Sequence, residues 1–271
     1  MNDKKIIKKN NNLFSMKNKI VAIFGGAGKL GIQFNKVLSL NGAKVYLLDK
    51  KINNMYRFKN YIKCDVENKK SIETAFQKII KKEKKIDVII YNVYSKPENY
   101  YQNFKSYDLK TWKKVNDTNL TGAFLVSQLA IKNFLKKKIK GNIIFLSSTY
   151  GIVGPNPEIY NGLKAKKNIY GGKFSLNTPA VYAATKSGLI GLSKYIATNF
   201  GKFRIRSNVL SPGGVFDNHE SKFVRNYSSK VPLNRMANWS DYDGAILFLS
   251  SDASSYMTGS NLIVDGGWTA W

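Results

Sequence analysis

Lys19-Ile20-Val21-Ala22-Ile23-Phe24-Gly25-Gly26-Ala27-Gly28-Lys29-Leu30-Gly31 is the stretch on which the reading of the fold turns. Its short, β-branched apolar run reads as a buried strand, and a glycine turn follows directly. Beyond it Leu30, Phe34, Val37, Leu38 and Leu40 carry helical spacing up to Asn41-Gly42, a helix stop. The unit is strand, glycine turn, helix. The next strand, Lys44 to Leu48, ends on Asp49, 18 positions after Gly31. In a dinucleotide-binding βαβ unit the glycines let the backbone approach a pyrophosphate at a helix N-terminus, and an acid near this distance takes the ribose hydroxyls. A tight strand-to-helix turn in an unrelated α/β protein is the competing reading.

Outward from this unit, strands and helices alternate. Tyr61 to Cys64 is a short strand ending at Asp65-Val66, Ser71 to Ile80 a helix, and Asp87 to Tyr91 a buried strand ending at Asn92. A long helix is expected over roughly Thr111 to Leu135 and contains Asn119. Gly141 to Ser148 is a strand with hydroxyls at its C-terminal end, Arg206 to Leu210 another, and Asn261 to Val264 the last. A helix is expected near Asp241 to Leu249, and irregular stretches at 151–179 and 215–236. This alternation argues for an α/β Rossmann fold, a single doubly wound parallel sheet of about seven strands with helices on both faces. The 271 residues show no linker, so one domain is expected over 17–271, after a basic, disordered tail at 1–16.

The formal charge of +27 raises nucleic acid as a partner. Only five of the 44 basic residues are arginines, however, and the lysines are spread along the chain, which favours a solvated surface over a nucleic-acid footprint. No apolar run approaches the ~18 residues of a membrane span. One cysteine, Cys64, excludes an internal disulfide and suits a reducing, cytoplasmic setting. One histidine and one cysteine do not build a typical zinc site, so no metal is expected, and His219 reads as a solvated loop imidazole.

The chemistry is carried by Tyr182-Ala183-Ala184-Thr185-Lys186. A spacing of four on a helix puts both side chains on one face. A phenol with a reference pKa of about 10 is a poor proton carrier at neutral pH. An adjacent ammonium is expected to lower that value and make the pair a general acid/base for an alcohol or carbonyl. An amphipathic helix with no catalytic task would show the same spacing by chance.

Taken in order, these residues resemble the short-chain dehydrogenase/reductase family from about residue 17 to the end. The family's glycine turn is matched by Gly25, Gly28, Lys29, Leu30 and Gly31, its Asp-Val by Asp65-Val66, its helical Asn by Asn119, its Ser by Ser148, its Tyr-x-x-x-Lys by Tyr182 and Lys186, and its Pro-Gly turn by Pro212-Gly213. The resemblance implies hydride transfer between a nicotinamide and a secondary alcohol or ketone. Tyr182 passes the proton, Lys186 lowers its pKa and holds the ribose, Ser148 bonds the substrate oxygen, and Asn119 holds a water leading to solvent. Gly25, Gly28, Lys29, Leu30, Gly31, Asp49, Asp65, Val66, Asn92, Pro212 and Gly213 would line the cofactor together with Tyr182 and Lys186. Asp49 argues for NAD over NADP, because a carboxylate repels a 2'-phosphate.

Two departures stand out. Tyr91-Asn92-Val93-Tyr94 puts bulk where the family keeps room beside the cofactor, and 34 positions separate Ser148 from Tyr182, which implies a substrate-covering insertion at about 152–179. The overall pattern resembles a branch associated with cell-surface sugar biosynthesis, including flagellin and nonulosonic-acid pathways, and implies a sugar or sugar-phosphate substrate. A lipid or acyl carbonyl reductase, and a non-catalytic nucleotide-sensing or nucleic-acid-binding relative, are the alternatives. Family members are commonly homodimers or homotetramers, and Trp268 and Trp271 beyond the last strand are expected to be buried between chains, with Trp268 folding back over its own substrate loop and Trp271 fraying as the alternative.

Overall fold

Seven strands run parallel in the order β3-β2-β1-β4-β5-β6-β7 in a computed structural model that describes residues 13–51, 59–163 and 174–271. They are β1 (Ile20–Phe24), β2 (Lys44–Asp49), β3 (Tyr61–Lys63), β4 (Val88–Tyr91), β5 (Asn142–Leu146), β6 (Arg206–Pro212) and β7 (Asn261–Val264). The helices are α1 (Lys29–Leu40), α2 (Lys69–Glu83), α3 (Leu109–Asn116), α4 (Gly122–Lys137), α5 (Ala180–Phe200), α6 (Ser221–Ser228) and α7 (Asp243–Ser250). Strand order reverses between β1 and β4, so the chain leaves their carboxyl ends in opposite directions and opens a crevice there.

The period of two along each strand divides the core. Ala22 and Phe24 join Ile89, Tyr91, Phe76, Val126 and Leu189 on the face covered by α2, α4 and α5. Val21 and Ile23 join Ile90, Phe34, Leu38, Ile246 and Leu249 on the face covered by α1 and α7. Continuous apolar strands are what a parallel sheet buried on both faces requires.

The long helix expected near residues 111–135 is α3 and α4 joined by one π turn, Asp117–Thr121. The π turn places Asn119, fully buried, at the sheet's C-terminal edge. A Cβ on Gly122 would stand 2.5 Å from the Tyr91 hydroxyl and 3.0 Å from Val66 Cγ2, so a glycine is what lets α4 approach the sheet here.

Three expectations change. The irregular stretch at 215–236 contains a helix, α6, whose Phe223 and Tyr227 are buried against the segment after Ser148. Met16, placed at the end of a loose tail, is fully buried, its N–H donates to the Asn41 carbonyl at 2.8 Å, and Leu13 accepts from Ala253 N at 3.1 Å; residues 1–12 lie outside the described residues. Trp268, expected between chains, packs in its own, stacking on Tyr227 at 4.6 Å, while Trp271 is exposed.

Candidate active site

The nucleotide end is built by the turn between β1 and α1. Gly25 adopts φ +76°, and a Cβ there would lie 2.6 Å from the Asn92 carbonyl oxygen; at Gly31 it would lie 2.5 Å from the Gly25 carbonyl oxygen. Neither position tolerates a side chain without moving backbone. Gly28 and Lys29, in contrast, are exposed at the N-terminus of α1, where unpaired amides favour an anion. The Leu30 side chain packs into the α1-side core, so its contribution to a ligand is backbone only. Asn92 locks the turn by donating its Nδ2 to the Gly25 carbonyl at 3.1 Å.

Asp49, half-buried at the end of β2, accepts from Ala27 N at 3.1 Å and from Lys51 N at 3.4 Å, which holds its carboxylate at the mouth of the turn. Lys50 is drawn to Asp65 instead, at 2.8 Å. Burial alone would raise the Asp65 carboxyl, but the hydrogen bonds from Lys50 and from Glu67 N, with the charges of Lys50 and Lys114, together outweigh it and hold it below the usual range. Gly25, Asp49, Lys50, Asp65, Val66, Tyr94 and Thr118 line one continuous cavity. Pro212 ends β6 on the far side, and Gly213 N donates to the Val264 carbonyl at 2.9 Å, closing the other wall of the crevice.

The four residues expected to act on the substrate converge from three elements. Ser148 follows β5 and stands beside the Tyr182 phenol, whose pKa it lowers, and its Oγ accepts from Tyr150 N at 3.2 Å. Lys186 is buried one turn along α5 from Tyr182, donating its Nζ to the Leu146 carbonyl at 2.6 Å; it stands 5.7 Å from the Tyr182 ring centroid. Ser147 Oγ donates to the Lys186 carbonyl at 2.8 Å and ties α5 to the end of β5. Asn119 accepts from Ser95 N at 2.9 Å and donates to Thr185 Oγ1 at 3.1 Å, a positioning role that spacing alone does not disclose.

The electrostatics correct one expectation. Lys186 was expected to pull the Tyr182 phenol down, yet its ammonium is committed to a carbonyl, and burial pushes the amine down to about 7. For Tyr182 burial raises the phenol, against the neighbouring Ser148, which lowers it. The phenol is therefore protonated at neutral pH, beside an amine that gains or loses its proton there.

Aromatic side chains surround this centre. Tyr100, Tyr101 and Val181 pack in one cluster with Tyr182, Phe174 and Leu176. Tyr160, Phe223, Tyr227 and Trp268 form a second cluster that includes Tyr150. Of the described flanks of the 152–179 insertion, Phe174 and Leu176 pack with Tyr182, and Ile159 and Tyr160 pack in the second cluster; Lys164, Lys166, Lys167 and Asn168 lie outside the described residues. The Tyr91 side chain corrects another expectation, since it is fully buried between Phe24 and Phe145 and donates to the Thr118 carbonyl, away from the cofactor path. His219 is no solvated imidazole: it is half-buried, accepts at Nδ1 from Asp217 N at 3.1 Å and stacks on Phe223 at 4.9 Å. Asp217 pairs with Lys29 across the crevice. Sequence reading passed over Lys96, Tyr150 and Asp217, and the only local signal for the first was its place four residues after Asn92.

The family model described as short chain dehydrogenase matches residues 19–165, and that described as enoyl-(acyl carrier protein) reductase matches residues 166–269. The chain is 26% identical to the D-arabinitol 2-dehydrogenase (ribulose-forming) of Candida tropicalis, over 95% of each chain. It is 26% identical to the post-translational flagellin modification protein A of Campylobacter coli, over 93% of this chain and 99% of that one. Among solved structures, a short chain dehydrogenase from Leptospira borgpetersenii with bound NAD+ superposes with a TM-score of 0.82 at 33% identity, over 94% of each chain.

Proposed function

This chain belongs to the short-chain dehydrogenase/reductase family, and we propose that it is an NAD-linked oxidoreductase acting on a secondary alcohol or ketone of a polyol or sugar. The observation that carries the reading is the convergence of Ser148, Tyr182 and Lys186 at the carboxyl end of β5, beside the glycine turn. The residues present fit a nicotinamide dinucleotide. Gly25 and Gly31 leave no space for a Cβ, the N-terminus of α1 is open at Gly28 and Lys29, and Asp49 offers acceptors to ribose hydroxyls.

A bound nicotinamide supplies or accepts the hydride. In the reducing direction the substrate oxygen gains electron density as its carbon takes the hydride, and Tyr182, protonated at neutral pH, gives it a proton. Ser148 Oγ hydrogen-bonds the same oxygen and stabilises the charge that develops. Lys186, titrating near neutrality, returns a proton toward the phenolate. Oxidation reverses each transfer. Asn119 keeps α5 in register with the loop after β4, so that Tyr182 and the substrate chamber hold their spacing.

The similarity to the flagellin modification protein supports a finer reading, a substrate belonging to surface-glycan biosynthesis. An acyl carbonyl is the competing substrate, suggested by the second family model. Phenol-bearing walls and a lysine favour a hydroxyl-rich substrate over an acyl chain.

The test is a panel of pentitols, ketoses and acyl thioesters offered with NAD or NADP in either redox state, read by the absorbance of the reduced cofactor. We expect turnover of polyols or ketoses, and NAD bound at least tenfold more tightly than NADP, a difference of about 1.4 kcal/mol. Turnover of thioesters alone would overturn the substrate class, and equal or reversed cofactor affinities would overturn the role given to Asp49.

A further inference from the structure

Asn119 fixes more than its own helix. By accepting from Ser95 N and donating to Thr185 Oγ1 it ties the loop after β4 to the helix that carries Tyr182 and Lys186, and Lys96 is one residue beyond the tie. Lys96 Nζ lies 5.2 Å from the Tyr94 ring centroid and 5.8 Å from that of Tyr101. Tyr101 packs in the same cluster as Val181 and Tyr182, so the Lys96 ammonium stands one ring away from the acid/base centre. From the opposite wall, the loop after β6 brings Asp217 and His219 into its field. Lys29 stands at the glycine turn and pairs with Asp217, whereas Lys96 stands over the rings of Tyr94 and Tyr101.

We propose that Lys96 recognises an anionic group, a phosphate or a carboxylate, carried by the substrate at a position remote from its reacting carbon. The inference rests on the oxidoreductase reading above and narrows its substrate class to an anionic polyol or ketose. An ammonium held between aromatic faces keeps its charge through the ring quadrupoles, and its three donors accept an oxyanion without a fixed fork geometry. Burial pushes Lys96 down to about 8, against the raising effect of Asp217, so the charge is costly where it stands and an arriving anion recovers part of that cost.

Calorimetric titration of the NAD-loaded protein, which holds no hydride to deliver, with ribulose, ribulose 5-phosphate and the 4-oxopentonate whose carboxylate replaces the same terminal carbon compares a neutral ketose with a phosphate and a carboxylate on the same carbon count. We expect at least one of the anions to bind tenfold or more tightly than ribulose, about 1.4 kcal/mol, and its identity names the group recognised. Lys96→Met should abolish that advantage, weakening the favoured anion tenfold or more and ribulose by far less, and Lys96→Arg should restore most of it. The proposal falls if ribulose binds as tightly as both anions, if none of the three binds, or if Lys96→Met keeps the advantage. Turnover of ribulose without any anion preference would sink the role of Lys96 and leave the oxidoreductase reading standing. Anion preference without oxidation or reduction of any panel member would do the reverse.

Discussion

Tyr182 and Lys186 were legible at the residue scale because a spacing of four on a helix fixes a shared face whatever surrounds it. Their electrostatics were not legible, because the sign of a shift depends on what buries the group, and the carbonyl of Leu146 that takes the Lys186 ammonium comes from a strand 40 positions away. The depressed lysine carries a consequence for stability. In the unfolded chain a lysine titrates near ~10.4. Below about pH 7 both folded and unfolded forms hold the Lys186 proton, and the cost of burying it is full. Above that the unfolded chain binds a proton that the folded form does not, so stability climbs with pH until the unfolded lysine also titrates. One such group adds up to about 1.4 kcal/mol per pH unit. Lys186→Met should therefore flatten the rise in unfolding free energy between about pH 7.5 and 9.5 by roughly that slope. Lys96 contributes in the same sense but is present in both proteins, so the difference isolates Lys186. Equal slopes in chemical denaturation would contradict a buried, neutralised amine.

At the scale of elements, the strand, glycine turn and helix at 20–40 could be read directly, since each part obeys a local rule: apolar β-branched residues, positive φ at Gly25, helical period after Gly28. Helix α6 could not, because it has only eight residues and its Phe223 and Tyr227 are made useful by partners 60 and more positions away, such as Ile159 and Tyr160. The π turn at Asn119 was equally hidden, being a single extra residue in a helix whose apolar period continues across it. The glycine turn offers an internal comparison. Gly31→Ala drives a methyl to 2.5 Å from the Gly25 carbonyl and 2.8 Å from Gly26 Cα, whereas Gly28→Ala meets nothing nearer than 3.3 Å. We expect Gly31→Ala to weaken NAD at least tenfold and to cost about 1–3 kcal/mol of stability, as overpacking does. Gly28→Ala should cost roughly 0.5–1 kcal/mol, the difference between glycine and alanine at a helix N-cap. An alanine at 31 that binds NAD with wild-type affinity would show that the turn is not the nucleotide site.

For the whole molecule, the parallel sheet, its strand number and its two-faced core followed from alternation alone, and the order β3-β2-β1-β4-β5-β6-β7 puts the predicted residues along one edge of it. Only Trp268 departs from the expectation at the end of the chain: its ring finds Tyr227 and Tyr150 within its own fold, and both are supplied by segments whose packing the linear sequence does not reveal. In the function proposed above, the fold brings a bound dinucleotide and the Tyr182 phenol to the same substrate carbonyl. The most direct test is single-turnover reduction of the accepted ketone by the NADH-loaded Tyr182→Phe protein, alongside the Kd for NAD. A loss of general acid/base action is worth roughly 10² to 10⁴ in rate, so the variant should slow by at least a hundredfold with NAD affinity within about threefold of wild type. A variant that keeps more than about a tenth of the wild-type rate would contradict the account.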